Sequence, residues 1–278
     1  MPPRLSGLIA GVALAQCLAP APSAQAAAPM CQGKEATIVD TDGGSVTGTG
    51  GDDVIYAYGR DTAVSAGPGD DTVCLEDGIV WAASGHDSLE VRGSNSVDVV
   101  NLHHAEEFDI AMGNDSDKVT LKSTGAGGGS IDGGPGADEL VLLGQRQRVH
   151  LDLQDHVLSV DGSDPFEVLS FQEAFADVRA LTLVGDPREN RFVIENTACR
   201  VFVRGGAGPD QLTLVDSFDR GPRNCDNPSR RLLGEGGDDV LRGRNQDDVL
   251  VGGPGRDEAF GGRGDDTCRA ERTNNCEH

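Results

Sequence analysis

The sequence predicts an all-β protein, a right-handed parallel β-solenoid (a β-roll or β-helix) with two short strands in each coil of roughly 18 residues. Three observations predict this fold class. Glycine and aspartate recur at a fixed spacing, apolar residues recur in short strand-like patches, and helical periodicity is poor along the chain. The fixed spacing indicates a repeated structure, although an aromatic content of only 4% would by itself suggest disorder.

Four consecutive nonapeptides stand near the end of the sequence. They occupy residues 234–269 and read GEGGDDVLR, GRNQDDVLV, GGPGRDEAF and GGRGDDTCR. Their sixth residues are Asp239, Asp248, Asp257 and Asp266. The same frame returns at 48–56, 66–74, 133–141 and 205–213, where the sixth residues are Asp53, Asp71, Asp138 and Asp210. One such nonapeptide could arise by chance in a Gly-rich chain, but eight in the same frame could not.

Each nonapeptide is expected to form a turn followed by a strand. Glycines among its first six residues permit positive φ angles and a tight turn. The last three residues are expected to be extended, with the small or apolar eighth residue pointing inward. Two nonapeptides then complete one coil, so aspartates two repeats apart, such as Asp53 and Asp71, lie one above the other.

The pattern G-G-x-G-x-D-x-apolar-x resembles the haemolysin-type (RTX) calcium-binding repeat, closely over about a third of the chain and loosely over most of it. The resemblance implies a β-roll that binds Ca²⁺ through the sixth-position aspartates and the backbone carbonyls of the glycine turns. Carried onto this sequence, the expected metal ligands are Asp53, Asp71, Asp138, Asp210, Gly237, Asp239, Asp248, Gly253, Gly255, Asp257, Gly262, Gly264 and Asp266.

Electrostatics supports the same metal. Two stacked carboxylates repel by roughly 1 kcal/mol in water and by several kcal/mol at a protein surface. Ca²⁺ would offset this repulsion because it takes six to eight oxygen ligands, including backbone carbonyls. Asp138 and Asp210 have no good partner two repeats away, so calcium binding and a metal-free coil are both open for these two units. Asp87 and Asp117 are expected to be degenerate positions.

The chain divides into an export signal and one continuous solenoid. Residues 1–26 predict a signal peptide, with Arg4 before an apolar stretch and a small-x-small cleavage site at 24–26. The expected segments that follow are a lead-in or cap at 27–47, calcium-binding repeats at 48–90, degenerate coils at 91–204 with one repeat at 133–141, calcium-binding repeats at 205–269 that are contiguous from 234, and a cap at 270–278. The protein is therefore expected to be secreted and extracellular, without a membrane span.

Six cysteines follow the predicted signal, and an even number in an exported chain predicts disulfides. In a solenoid, separation in sequence becomes distance along the axis, so the two ends would lie roughly 60 Å apart at strand spacing. A disulfide needs Cα atoms within about 7 Å. Only sequence neighbours can then pair, which predicts Cys31–Cys74, Cys199–Cys225 and Cys268–Cys276.

A formal charge of −23 argues against nucleic acid or an anionic membrane as a partner. We expect a protein without enzymatic activity that folds or stiffens on extracellular calcium, in a structural or adhesive role. Cell-surface or extracellular polysaccharide is a candidate partner. The alternative is a calcium-dependent parallel β-helix polysaccharide lyase. No catalytic spacing surrounds His103, His104, His150 or His156.

Overall fold

The computed structural model describes residues 28–81, 87–93, 99–103, 105–122, 128–195, 198–216 and 228–278. The predicted signal peptide lies outside these residues. Within the described ranges the chain forms 24 strands and no helix. The strands are β1 Met30–Cys31, β2 Lys34–Glu35, β3 Ile38–Asp40, β4 Ser45–Thr47, β5 Val54–Ser65, β6 Thr72–Trp81, β7 Asp87–Arg92, β8 Val99–His103, β9 Ala105–Ala111, β10 Lys118–Lys122, β11 Gly128–Asp132, β12 Glu139–Asp152, β13 Val157–Val160, β14 Phe166–Leu169, β15 Glu173–Val184, β16 Arg191–Glu195, β17 Arg200–Gly206, β18 Gln211–Val215, β19 Ser229–Glu235, β20 Val240–Arg242, β21 Val249–Val251, β22 Glu258–Phe260, β23 Thr267–Arg269 and β24 Arg272–Asn274.

All strands except β1 and β2 belong to one large, mostly parallel sheet, as the predicted fold class requires. The pairings trace two walls, and the long strands β5, β6, β12 and β15 contribute one half to each wall. Wall A contains, in spatial order, β3, the first halves of β5 and β6, β7, β9, β11, β14, β13, the second halves of β12 and β15, β17, β19, β21 and β23. Wall B contains β4, the second halves of β5 and β6, β8, β10, the first halves of β12 and β15, β16, β18, β20, β22 and β24.

The hydrophobic core is built from side chains that alternate along the strands of both walls. In the last coils of wall A, Leu232, Leu250 and Cys268 are in register and buried. The matching buried residues of wall B are Leu212, Leu241 and Ala259. Each three-residue strand thus adds one inward side chain, and burying a leucine contributes only about 1.5–3 kcal/mol. The coils need further contacts between their turns.

The length of chain between paired strands is not constant. Asp239 and Asp257, which directly precede the paired strands β20 and β22, are 18 residues apart. Asp210 and Asp239, which directly precede the paired strands β18 and β20, are 29 residues apart. In sequence the additional residues fall between β18 and β19, and β18 and β20 nevertheless pair in parallel register. The expected spacing of two nonapeptides per coil therefore holds between Asp239 and Asp257 and between Asp53 and Asp71, but not between Asp210 and Asp239.

In the large sheet, strand β13 runs antiparallel to both of its neighbours. The segment 148–169 forms an antiparallel meander in which β13 pairs with β12 on one side and with β14 on the other. His156 and Asp161, at the ends of β13, have positive φ angles of 60° and 54° that allow the chain to reverse. The meander places two additional strands, β13 and β14, within wall A. The degenerate coils expected at 91–204 are interrupted at this point.

Two of the three predicted disulfides are present in the structure. Cys31 and Cys74 have Cα atoms 5.6 Å apart. To reach Cys74, the β1–β2 hairpin runs back along the stack, and β1 contacts β5 and β6. Cys268 pairs with Cys276 at a Cα separation of 5.9 Å. Cys225 lies outside the described residues, so the pair Cys199–Cys225 stays a prediction.

No helix in the described part of the chain is long and apolar enough to cross a membrane.

Candidate metal centre

A row of polar side chains runs along the turns that precede the strands of wall B. Each member is the residue directly before a strand, and the parallel register aligns each with the next. We call this row the long ladder. Its members are Asp117, Asp138, Gln172, Asn190, Asp210, Asp239, Asp257 and Glu271.

Hydrogen bonds connect the long ladder from coil to coil. The backbone N–H of Asp210 donates to Oδ1 of Asp239 at 2.8 Å, and the N–H of Asp239 donates to Oδ1 of Asp257 at 3.0 Å. The N–H of Asp257 donates to Oε2 of Glu271 at 2.9 Å, which ends the row. A hydrogen bond to a charged acceptor contributes about 1.5–3 kcal/mol. One oxygen of each of these aspartates therefore holds two coils together.

A second row, the short ladder, lies on wall A and consists of Asp248, Asp266 and Glu277. The N–H of Asp248 donates to Oδ1 of Asp266 at 2.8 Å, and that of Asp266 donates to Oε2 of Glu277 at 2.9 Å. Near the start of the chain, the N–H of Asp53 donates to Oδ1 of Asp71 at 3.0 Å. The same contact thus recurs on both walls and in both blocks of repeats.

The second carboxylate oxygen of these aspartates lies over a glycine turn. In Asp257 this oxygen, Oδ2, folds back over the first glycine of its own repeat, because a Cβ on Gly252 would lie 2.2 Å from it. A buried acceptor without a partner costs about 1–3 kcal/mol, and more when it is charged. Buried carboxylate oxygens without a hydrogen-bond partner among the described residues include Oδ2 of Asp138, Asp210, Asp239, Asp257 and Asp266. In Asp248 the oxygen without such a partner is Oδ1, because Oδ2 over the turn accepts the N–H of Arg244.

Backbone carbonyls of the preceding coil meet the same turns. A Cβ on Gly253 would lie 1.9 Å from the carbonyl oxygen of Glu235, and a Cβ on Gly255 would lie 1.7 Å from that of Gly237. Gly253 also has a φ of +121°, which strongly favours glycine. Only glycine lets two turns approach this closely. The result is a stack of turns lined by carbonyl and carboxylate oxygens.

Burial perturbs the acidity of these aspartates. Desolvation raises the pKa of Asp210 to about 7 and the pKa of Asp239 to about 6, although the N–H donated from the preceding turn acts in the opposite direction. Desolvation also raises the pKa of Asp248 to about 6, against the N–H donated by Arg244. It raises the pKa of further carboxyls as well, those of Asp71, Asp138, Asp257 and Asp266.

These observations fit a hard divalent cation. A desolvated carboxylate with one unused oxygen is stabilised by a nearby cation, and oxygen-only donor sets suit Ca²⁺ or Mg²⁺ rather than zinc. No group of three or more His, Cys, Asp or Glu side chains converges within the described ranges. A metal ion in these turns would therefore take most of its ligands from backbone carbonyls, with Asp239, Asp248, Asp257 and Asp266 supplying the charge.

The structure gives two single units, Asp210 and Asp138, hydrogen-bonded partners that the sequence did not predict. Asp210 does have a partner, Asp239, although 29 residues separate them. Asp138 likewise accepts the N–H of Asp117 at 2.9 Å and donates its own N–H to Gln172 at 3.2 Å. The rule of two repeats per coil missed both contacts because it assumed coils of constant length. Asp117, expected to be degenerate, is a buried member of the long ladder.

Two of the candidate histidines, His150 and His156, can be placed relative to the ladders. His150 and His156 lie on or beside the meander, away from both ladders. The side chains of Asp87, His103 and His104 lie outside the part of the chain that the structure describes.

Sequence reasoning also missed the residues that end or begin the ladders. Glu271 and Glu277 end them outside the nonapeptide frame, and their only sequence signal is an acid shortly after the last repeat. Arg230 lies on β19, one register position before the Arg231–Val249 pair and so opposite Asp248, and it is only 3% exposed. A buried guanidinium thus stands at the start of the short ladder, where its charge lowers the pKa of Asp248 against the larger effect of burial.

Comparison with known protein families supports the same interpretation for the final coils. A family model for the RTX calcium-binding nonapeptide repeat matches in four copies over residues 232–268. This segment is an RTX calcium-binding repeat block. The RTX block contains Asp239, Asp248, Asp257 and Asp266, so both ladders pass through it. The remaining expected aspartates, Asp53, Asp71, Asp138 and Asp210, lie outside the matched range. A search of the curated proteins returned no match.

Proposed function

We propose that the protein is an exported calcium-binding β-solenoid that folds or stiffens when Ca²⁺ enters its turns, and that it acts in a structural or adhesive role without catalysis. The observation that carries this proposal is the set of buried carboxylate oxygens at the glycine turns that have no hydrogen-bond partner among the described residues. Four of the aspartates that carry these oxygens, Asp239, Asp248, Asp257 and Asp266, lie within the RTX block.

In this proposal Asp239 and Asp257 supply charge on wall B, and Asp248 and Asp266 supply it on wall A. The oxygen shells are completed by the carbonyls at and around Gly237, Gly253, Gly255, Gly262 and Gly264. Further proposed ligands, which repeat the hydrogen bonds of the RTX block, are Asp53, Asp71, Asp138 and Asp210. We also propose right-handed winding, with two nonapeptides in each coil of the block.

Export is supported by two features. Residues 1–26 have the composition of a signal peptide. The two disulfides in the structure, Cys31–Cys74 and Cys268–Cys276, are of a kind that forms and persists outside the cytosol. Calcium sites built from neutral carbonyls and few carboxylates also suit an extracellular module, since such modules bind with constants of about 10⁻⁴–10⁻³ M.

A calorimetric titration of the chelated full-length chain with CaCl₂ tests the proposal. We expect Asp257→Asn to weaken binding by about tenfold at the sites next to it. The matched control is Asp265→Asn, which removes an equal charge from an exposed position whose carboxylate contacts His278. Hydrogen exchange should show that residues 234–269 lose protection first on chelation. Absence of binding heat, together with unchanged protection on chelation, would refute calcium binding.

The polysaccharide lyase is retained as the alternative because a groove on wall A contains arginines and His150. These residue types could bind an acidic sugar and abstract a proton from it. Incubation with polygalacturonate and calcium distinguishes the two functions. The ultraviolet absorbance of the solution reports the release of an unsaturated uronate. Such release would show that the protein is a lyase and not a binding protein.

A further inference from the structure

The outer face of wall A carries a groove of about 450 Å³ beside the meander. It crosses β12, β15, β17 and β19, and β13 forms one side. Strand alternation explains its chemistry, because Val149, Leu181 and Val201 point into the core while their neighbours point outward. We call it the arginine groove, and its outward basic and aromatic residues are Arg148, His150, Arg200, Phe202 and Arg231.

Three guanidinium groups share the arginine groove. Arg148 and Arg200 lie in one row across the strands, separated by Ala180, which places them roughly 10 Å apart at strand spacing. Arg231 lies opposite Phe202 on the next strand, with its Cζ 6.0 Å from the centre of the half-buried ring. No acidic side chain is among the described residues that line the groove.

This arrangement is unexpected in a chain with 46 acidic and 23 basic residues. Within the described part of the chain, Arg148, Arg200 and Arg231 have no ion pair with a carboxylate. Arg200 and Arg231 lie diagonally on neighbouring strands, where like charges repel, so an anion in the groove would relieve this repulsion. Many cations elsewhere on the walls are paired, in Arg92–Asp109, Lys118–Glu139, Arg188–Asp186, Arg191–Glu173, Arg204–Glu235, Arg244–Asp216 and Arg272–Glu258.

The groove's chemistry selects one class of anion. A guanidinium binds a carboxylate in bidentate fashion, and Phe202 offers an apolar surface on which the C–H face of a sugar ring can pack. Duplex nucleic acid, which has a very high density of charge along its axis, would be repelled by the acidic remainder of the protein. A chain with a single carboxylate on each sugar has a lower charge density and can follow the row of arginines.

We propose that the arginine groove binds a carboxylated polysaccharide, a linear polyuronate. Arg148, Arg200 and Arg231 bind successive carboxylates, and Phe202 packs against a sugar ring between them. This inference names a partner for the proposed adhesive role and rests on that role. It does not rest on calcium ligands, since the groove residues lie outside the matched repeats at 232–268.

The test is a titration of the full-length, calcium-saturated protein with a galacturonate hexamer at fixed ionic strength. A neutral glucan of equal length is the control ligand. We expect binding of the uronate only, and a loss of about tenfold or more when all three groove arginines are replaced by serine. The groove variant is Arg148→Ser/Arg200→Ser/Arg231→Ser. The matched control removes the same charge from paired arginines and is Arg92→Ser/Arg191→Ser/Arg272→Ser.

The outcomes separate the alternative causes. Uronates also bind calcium, so uronate held only by calcium in the turns would bind the groove variant normally and lose affinity in Asp257→Asn. That result would overturn the proposal. Equal uronate binding by the two triple variants, or no uronate binding by the unmodified protein, would also overturn it. Phe202→Ala should weaken uronate binding without changing the protein's charge. Calcium isotherms of the groove variant should match those of the unmodified protein, so failure of calcium binding is recognised independently.

Discussion

Replacing Asp239 by asparagine should change the stability of the protein in opposite directions with and without calcium. Asparagine keeps an oxygen that can accept the N–H of Asp210, but it removes the desolvated charge. The same ladder already contains an asparagine, Asn190, whose side-chain Oδ1 accepts the N–H of Asp186 at 2.9 Å within its own turn. The substitution should therefore be structurally tolerated.

The size of the expected stability change follows from the raised pKa of Asp239. Burial raises the pKa of Asp239 from 3.8 to about 6, and each pKa unit is worth about 1.4 kcal/mol. A carboxyl whose pKa is raised in the folded state gives its full stability below the unfolded pKa of about 4 and loses it as pH rises through about 6. Above pH 6 the calcium-free Asp239→Asn protein should thus be more stable by up to roughly 3 kcal/mol, and near pH 4 the difference should vanish.

In saturating calcium the sign should reverse, because a metal-bound carboxylate stabilises the folded state through the binding free energy. Urea denaturation at pH 7.5 and pH 4, with chelator and with calcium, measures all four conditions. The exposed neighbour Asp238 provides the control Asp238→Asn, for which we expect much smaller changes. If Asp239→Asn destabilises the protein equally with chelator and with calcium, the inference of a buried charge awaiting a cation is refuted.

Three further predictions concern the coils and their ends. Glu271→Ala should lower the urea midpoint of the last coil, because it leaves the N–H of Asp257 without its acceptor; an unchanged midpoint would contradict the ladder. Gly252→Ala should lower the free energy of unfolding by more than the ~0.5–1 kcal/mol by which glycine and alanine usually differ, because the new Cβ would lie 2.2 Å from Asp257 Oδ2. A variant that is more stable in thermal denaturation would contradict this packing. Non-reducing peptide mapping should find Cys199 linked to Cys225, and a Cys74–Cys199 peptide would refute the sequence-neighbour rule for this solenoid.

The local structure of each repeat could be predicted from the sequence because it depends on residues only a few positions apart. Glycine turn, aspartate and inward apolar residue occur together at 252–260, and the structure places them as a turn, a buried carboxylate and β22. Sequence spacing predicted the stacking of Asp239 and Asp257 for the same reason, since no residue is inserted between their coils.

Contacts between coils of unequal length could not be predicted. The partnership of Asp210 with Asp239 depends on register, and chain inserted between strands changes the spacing without changing the register. The reversed strand β13 also gave no signal, because Val157–Val160 alternates inward and outward residues as a forward strand would. Arg230 was missed because nothing local distinguishes a buried guanidinium opposite an aspartate from the exposed arginine beside it.

The meander at 148–169 has a consequence for how the molecule unfolds. A stack in which each coil contacts only its neighbours behaves as a one-dimensional chain of coupled units, and its cooperativity is set by the weakest coupling. In the meander, β14 and the second half of β12 do not pair with each other. Strand β13 lies between them and pairs antiparallel with both. On wall B no strand is inserted at this level, since β10 pairs directly with the first half of β12. The two halves of the solenoid are therefore expected to melt as separate cooperative units, with the boundary between them at the reversed strand.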